Sequence, residues 1–334
     1  MIGPRPPVPD APLPFSVLTG FLGSGKTSFL SRVLANPSFT DTAVIINEFG
    51  AVGLDHLLLD AIDQDVVELP NGCVCCAVRQ DLADTLYMLL RRLARPGERP
   101  FRRIVLETSG LAEPAPILYT LSADAFLEAS LRVDTVVTAV DAVLGLATLA
   151  RFPEAVAQAA SADRLLLTKT DLAPASDELR AQLAALNPIA TLVDARKVDP
   201  ATLLFDGGVF RIPRSRMAAT AVHAHGIAAW TLTLRRPMTR LAFAMALGRL
   251  AQTHGEDLLR VKGIVEFADR AGGPAAIHAV QHTMYAPRWL PDWPDADRTS
   301  RMVFIVRGIA PEVLLEGFAE GDPAIGELMK EGMV

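Results

Sequence analysis

From Phe15 onward, short runs of β-branched and aliphatic residues alternate with longer stretches whose apolar positions recur at helical spacing. The runs Phe15–Thr19, Ala43–Asn47, Val66–Leu69, Arg103–Glu107, Thr135–Asp141 and Arg164–Thr168 read as strands. Between them Lys26–Leu34, Leu82–Leu93 and Ala155–Ala160 read as helices. Strands that are apolar throughout, spaced by helices, predict an α/β domain whose parallel sheet is covered on both faces. The pattern fades after Asp194, and Phe205–His225, broken by Gly207, Gly208 and Pro213, has no clear period. It reads as a linker. A second block then opens with Ala229–Leu234, which alternates like a half-buried strand. In Thr239–His254, Leu241, Ala244, Met245, Leu247 and Leu250 share a helical face. Leu258–Phe267, Ala276–Tyr285 and Arg301–Arg307 read as strands and Glu312–Phe318 as a closing helix, which together predict a smaller α+β domain. The resulting division is a proline-rich tail (1–14), a first domain (15–200), a linker (201–226), a second domain (227–320) and a short tail (321–334).

Composition narrows the function classes. At 334 residues, half of them hydrophobic and 21% charged, the chain supports two buried cores and is neither disordered nor fibrous. A formal net charge of -6 argues against a nucleic-acid partner engaged through a broad basic surface. No eighteen-residue apolar run is present, so no membrane partner is expected. Met1–Pro14 carries six prolines and no apolar core of the signal-peptide kind, and the expected location is cytoplasmic.

The strongest local signal is Gly20-Phe21-Leu22-Gly23-Ser24-Gly25-Lys26-Thr27, which fits G-x-x-x-x-G-K-[ST] between a strand and a helix. Gly20, Gly23 and Gly25 let the backbone turn tightly, so that successive N–H groups, including those of Ser24 and Ser28, converge on phosphate oxygens at a helix N-terminus. Lys26 reaches toward the β- and γ-phosphates, and the Thr27 hydroxyl is a Mg²⁺ ligand. The chain has five lysines against 27 arginines, so a lysine at each of two nucleotide-motif positions is not explained by abundance.

Two further strand ends carry chemistry. Arg103–Glu107 runs into Glu107-Thr108-Ser109-Gly110, where Glu107 is a second Mg²⁺ contact and the Gly110 N–H a γ-phosphate sensor. Arg164–Thr168 runs into Thr168-Lys169-Thr170-Asp171. A carboxylate at Asp171 accepts from the N1–H and N2–H₂ edge of guanine, a donor pair that adenine lacks, so guanine is favoured. Thr168 stands where N-K-x-D has Asn. It keeps a hydroxyl and loses the amide.

All three cysteines fall in Asn71-Gly72-Cys73-Val74-Cys75-Cys76. An odd number so closely spaced is no disulfide framework and implies a reducing compartment. Three thiolates without a nearby fourth ligand suit Zn²⁺, Cu(I) or another thiophilic ion in an open, exchanging site. His223 and His225 in the linker alternate so that both imidazoles can face one side as an accessory metal contact, although solvated side chains are the favoured reading.

Taken together, the Gly20–Ser28 loop, Ile46-Asn47-Glu48-Phe49-Gly50, the C-x-C-C run, Glu107–Pro114 and Thr168–Asp171 resemble the CobW-like metallochaperone GTPases of the G3E group of P-loop GTPases. Leu259–Gly263 and Arg288–Pro294 are similar to that family's C-terminal module. The resemblance implies a P-loop NTPase domain followed by a smaller α+β domain. It also implies GTP hydrolysis, with Mg²⁺, coupled to binding of Zn²⁺ or Co²⁺ and its delivery to a client metalloprotein or metal-inserting enzyme, and it admits a metal-dependent homodimer. By position, Cys73, Cys75 and Cys76 become ligands of the transferred ion, Glu48 in the first switch joins them, and Glu107 takes the Mg²⁺ position that Asp fills in ordinary GTPases. The long His-rich stretch between domains of many members is reduced here to His223 and His225.

No glutamine or arginine stands out as the group that activates the attacking water, so slow intrinsic turnover is expected. Two rival readings stand beside this one: an ATP-using enzyme with redox or sulfur chemistry at the cysteines, and a metal-responsive adaptor that binds nucleotide without significant turnover.

Overall fold

The structure, a computed structural model, describes residue 6 and residues 8–46, 66–68, 77–95, 101–205 and 226–319. The chain forms two compact units. In the first, seven parallel strands make one sheet: β1 (Leu13–Gly20), β2 (Thr42–Ile46), β3 (Val66–Glu68), β4 (Arg103–Glu107), β5 (Leu131–Asp141), β6 (Arg164–Thr168) and β7 (Thr191–Asp194), in the order β3-β2-β4-β1-β5-β6-β7. β1 is central, with Leu18 beside Glu107 and Gly20 beside Ala139. β5 and β6 are in register from Val137 beside Arg164 to Asp141 beside Thr168.

Both faces are covered, which is why the strand residues are apolar without alternation. Phe15, Val17, Leu18, Ala43–Ile45, Ile104–Leu106 and Leu165–Leu167 are buried. The crossover helices are α1 (Lys26–Leu34), α2 (Ala77–Leu93), α3 (Ala115–Ala123), α4 (Ala125–Ser130), α5 (Gly145–Arg151), α6 (Pro153–Ser161), α7 (Asp177–Leu186, of which residues 177–180 group with this unit) and α8 (Pro200–Phe205). The six predicted strands are present, β1 and β5 longer than expected, and the expected end residues Asn47 and Leu69 lie outside the described residues. β7 was missed because four residues, none of them fully buried, give too short an apolar signal. Helix α8 falls where the linker was expected to begin. Its Leu203 and Leu204 belong to the cluster around Leu18, Phe29 and Phe39, and the Ser16 hydroxyl donates to the Leu204 carbonyl at 2.5 Å.

The second unit is a six-stranded antiparallel sheet with two helices: β8 (Ile227–Leu234), α9 (Arg240–His254), β9 (Arg260–Val265), β10 (Ala275–Val280), β11 (Thr283–Met284), β12 (Arg288–Trp289), β13 (Ser300–Arg307) and α10 (Pro311–Ala319). The strand order is β11-β10-β9-β13-β8, with β12 paired to β10. Phenylalanines interlock within its otherwise aliphatic core: Phe243 packs edge-on to Phe267 at 5.3 Å and lies 5.7 Å from Phe318, which in turn meets Phe304 at 6.0 Å. The buried stripe of α9 is Phe243, Ala246, Leu247, Leu250 and Ala251, capped by the Thr239 hydroxyl on the Ala242 N–H. This corrects the expected face. Leu241 and Met245 are 71% and 54% exposed, and Ala244 is exposed too. Apolar residues run almost continuously from Leu241 to Leu247, so spacing alone admits two stripes, and the aromatic cluster selects the one carrying Phe243. Among the described residues no helix is long and apolar enough to cross a membrane.

All three tryptophans, Trp230, Trp289 and Trp293, lie in the second unit, so indole fluorescence reports its unfolding alone. In chemical denaturation followed this way, Leu250→Ala is expected to cost about 2–5 kcal/mol and Leu241→Ala less than about 0.5 kcal/mol.

Candidate phosphate and nucleotide site

In a parallel sheet every strand delivers its C-terminal end to the same edge, and the residues singled out by motif meet there. β1 ends in Gly20, whose φ is +143°, and the loop passes through Gly23 at +69° and Gly25 at +85° before α1 begins. L-residues with a Cβ avoid these angles, so glycine is required for the curl. Gly25 caps α1 without any side-chain hydrogen bond, which leaves the first-turn N–H groups and the positive end of the helix dipole facing the loop. Lys26 is buried (8% exposed) and folds back, its Nζ donating to the carbonyls of Gly20 at 2.9 Å and Phe21 at 3.3 Å. Its ammonium is thereby held inside the curl. Ser28 is exposed on the first turn.

Thr27 and Glu107 come together although 80 positions apart, the Thr27 hydroxyl donating to Glu107 Oε1 at 2.6 Å. Glu107 is 3% exposed at the end of β4. A hydroxyl oxygen and a buried carboxylate in contact form a hard-oxygen pair, the donor set that suits Mg²⁺. The following turn is closed by the Ala112 N–H on the Ser109 carbonyl at 3.1 Å and tied to β1 by the Thr108 N–H on the Leu18 carbonyl at 3.0 Å. The Thr108 hydroxyl donates to Thr19 Oγ1 at 2.7 Å. Gly110 is pressed against the loop, and a Cβ there would lie 2.7 Å from the Leu22 backbone nitrogen.

β6 supplies the other side. The Thr168 hydroxyl, 2.6 Å from the Ser24 carbonyl and 3.2 Å from that of Val140, ties the phosphate loop to β6 and β5. Thr168, standing where the N-K-x-D pattern has Asn, thus tethers the strand to the loop. Lys169 adopts a left-handed backbone (φ +54°) and its Nζ donates to Asp141 Oδ2 at 2.6 Å. Asp141 also accepts the N–H groups of Val143 at 2.7 Å and Leu144 at 3.0 Å. Burial works to raise its pKa, but the Lys169 ammonium and the two N–H donors outweigh it and hold the carboxyl below the ordinary 3.8. Thr170 donates to Asp194 Oδ1 at 2.7 Å, bracing the loop against the end of β7. Asp171 lies in the turn between, with its side chain exposed.

The structure thus gathers Gly20, Gly23, Ser24, Gly25, Lys26, Thr27, Glu107, Gly110, Thr168 and Lys169 at one edge. Glu48, Cys73, Cys75, Cys76, His223 and His225 lie outside the described residues. Among the described residues no group of three or more His, Cys, Asp or Glu side chains is placed to hold a metal ion. Two contributors were missed in the sequence. Asp141 offered the same signal as Glu107, a carboxylate ending an apolar strand. Gln158, fully buried on α6, offered a lone amide in an alanine-rich helix.

Because Asp141 is held below its unfolded value, it stabilises the fold at pH above about 3.8, and that contribution is lost as the pH falls through its lower folded value. Asp141→Asn is expected to be destabilising at pH 7 by about 1–3 kcal/mol, with the gap to the wild type closing below about pH 4 in denaturation experiments at stepped pH.

The family described as CobW/HypB/UreG, nucleotide-binding domain, matches residues 14–194, and the CobW C-terminal domain matches residues 227–321. The chain is 32% identical over 315 residues to the zinc chaperone YjiA of Escherichia coli, covering 92% of this chain and 98% of that one. It is 33% identical over 193 residues to the zinc-regulated GTPase metalloprotein activator 1 of Schizosaccharomyces pombe, covering 55% and 46% of the two chains. The crystal structure of a Zn(II)-bound triple mutant of the YjiA GTPase superposes with a TM-score of 0.71 at 27% identity, over 93% of this chain and 99% of that one. The expected fold, a P-loop domain built on a parallel sheet and followed by a smaller α+β domain, is the one observed. With one family match over more than half of the chain and a second over residues 227–321, the chain belongs to the CobW family of G3E P-loop proteins.

Proposed function

We propose that this protein is a GTP-hydrolysing metallochaperone that binds a thiophilic divalent ion, Zn²⁺ in the first instance, and hands it to a client metalloprotein. The observation that carries the reading is the meeting of Lys26, Thr27 and Glu107 at the C-terminal edge of the sheet, with Thr27 Oγ1 2.6 Å from Glu107 Oε1. An anion cradle, a buried ammonium and a hard-oxygen pair are the parts that triphosphate binding and phosphoryl transfer use. Mg²⁺, when bound, would be held by Thr27 and Glu107 and would offset negative charge on the phosphates.

In this reading the N–H groups of Gly23 to Ser28 and the Lys26 ammonium bind the phosphates, and the close seating of the Gly110 turn on Leu22 supports a γ-phosphate-sensing role for that turn. Lys169, aimed by Asp141, and Asp171 at the neighbouring turn favour a guanine base. Zinc is the cargo, taken by Cys73, Cys75 and Cys76 with Glu48. Support for zinc over cobalt comes from the relatives named as zinc chaperones and from the Zn(II)-bound YjiA structure. Thiolate ligands must be deprotonated, so capture is favoured by rising pH. Nucleotide and metal are linked: whatever factor GTP adds to zinc affinity, zinc adds to GTP affinity. The client is proposed to be a metalloprotein in the cytoplasm.

Lys26→Ala is expected to weaken GTP binding about 10- to 150-fold, the range that one charged hydrogen bond supplies, and to remove phosphate release in a steady-state assay. Zinc titrations should give an affinity about 5- to 150-fold higher with a non-hydrolysable GTP analogue than with GDP. Equal affinities would overturn the coupling. Phosphate release from ATP as fast as from GTP would favour an adenine-using enzyme, and none from either nucleotide would favour a binding adaptor. A stronger response to Co²⁺ than to Zn²⁺ in the same assay would reassign the cargo.

A further inference from the structure

We propose that Gln158 is a positioning residue for the γ-phosphate-sensing turn: it acts on GTP through the peptide groups of Gly110 and Ala112. The inference rests on the GTPase reading above. Gln158 sits in α6 among Ala155, Val156, Ala157, Ala159 and Ala160, and is fully buried. Its Nε2 donates to the Gly110 carbonyl at 3.2 Å and to the Ala112 carbonyl at 2.9 Å. Both partners are pure acceptors, so the NH₂ end of the amide must face them, and its two protons match two carbonyls. The helix turn carrying Gln158 is itself fastened to the sheet, since the Thr138 hydroxyl donates to the Gln158 backbone carbonyl at 2.8 Å. Phe152, at the start of the same helix, stacks on Phe21 of the phosphate loop at 4.5 Å.

The physical consequence follows from the residue being held. Glycine has the softest backbone of any residue, and Gly110 is placed where its N–H would have to be aimed at a phosphate oxygen. Its Cα is pressed on Leu22, and a Cβ there would lie 2.6–2.8 Å from Leu22 atoms. A side chain that would stiffen the position is therefore excluded. Within the turn the peptide that carries the Gly110 N–H is held only through its Ser109 carbonyl, and the Gln158 amide adds an anchor from outside on each following side by fixing the carbonyl of Gly110 and that of Ala112 two residues on. The Ala112 N–H closing onto Ser109 completes the frame. Gln158 does not reach the reacting atoms. It sets the direction of a donor that does.

A positioning role differs from mere packing in what it discriminates. GDP lacks the phosphate that Gly110 would contact, so loss of the amide should spare GDP and penalise GTP. Gln158→Leu keeps the volume and removes both donors. In purified full-length protein, its kcat for GTP is expected to fall about tenfold or more, and its preference for a non-hydrolysable GTP analogue over GDP to fall by a similar factor, with GDP affinity within about twofold of wild type. Gln158→Glu adds a pH test. Ionised, it sets a carboxylate against two carbonyl oxygens; protonated, it regains one donor. Its kcat relative to wild type should rise as the pH is lowered from 8 to 6, while that of Gln158→Leu stays flat.

The proposal is overturned if Gln158→Leu keeps the wild-type kcat and nucleotide preference. It is equally overturned if affinities for GDP and the GTP analogue fall in parallel, which is the mark of general loosening. Should Gln158→Leu not fold, Gln158→Met, of similar length and volume, carries the same comparison. Absence of phosphate release from the wild type would instead remove the proposed hydrolysis, and the affinity ratio would still decide the role of Gln158.

Discussion

The candidate site depends on the position of β1 between β4 and β5. All strands run the same way, so the end of β1 is flanked by the end of β4 with Glu107 and the end of β5 with Asp141, and β6 with Thr168 follows next. Residues far apart in the chain are thereby set within hydrogen-bonding distance of one loop. The contact between Thr27 and Glu107 and that between Thr168 and the Ser24 carbonyl are the two cross-links that result. Antiparallel pairing, or a different strand order, would scatter the same side chains over two edges of the sheet.

Electrostatics at this edge is arranged in pairs. Lys26 donates to carbonyls inside its loop, Lys169 pairs with the Asp141 carboxylate, and Thr27 rests on Glu107. Each buried polar group so paired avoids the cost of burial without a partner, and each is held in one orientation. The turn after β4 belongs to the same arrangement. Its backbone touches the phosphate loop at Gly110 and Leu22, so displacement of either segment is felt by the other.

The second unit is built on a different principle. Its sheet is antiparallel, and one face is sealed by α9 and α10 through an interlocking set of phenylalanines. Trp289 packs edge-on to Phe267 at 5.9 Å and lies under the Arg270 guanidinium at 3.5 Å, so the Arg288–Pro294 segment is anchored at its first aromatic residue. Arg301 fixes the loop that follows, with Nη2 on Asp295 at 2.7 Å and Nη1 on the carbonyls of Asp297 and Thr299, each at 3.1 Å.

The sequence by itself determined the first domain's class and its phosphate loop. Uninterrupted apolar strands have no solvent-facing side, and the glycine spacing of Gly20–Thr27 admits little but an anion cradle. Glu107 and Thr168–Asp171 were legible too, because a polar residue ending an apolar strand is a local signal. Tertiary structure alone decided which stripe of α9 faces inward, since Leu241 and Met245 repeat as regularly as Phe243 and Leu247, and only the aromatic cluster breaks the tie. It also decided that Thr168 clasps the loop, that Asp141 aims Lys169, and that Gln158 grips the Gly110 turn. These are long-range contacts made by single side chains, two of them to backbone carbonyls, and a one-dimensional pattern carries periodicity but not partnership. Hydrophobic spacing encodes the type of an element and, only where a single stripe is apolar, the face it buries. The choice of hydrogen-bond partner is made only once the sheet has brought the strand ends together.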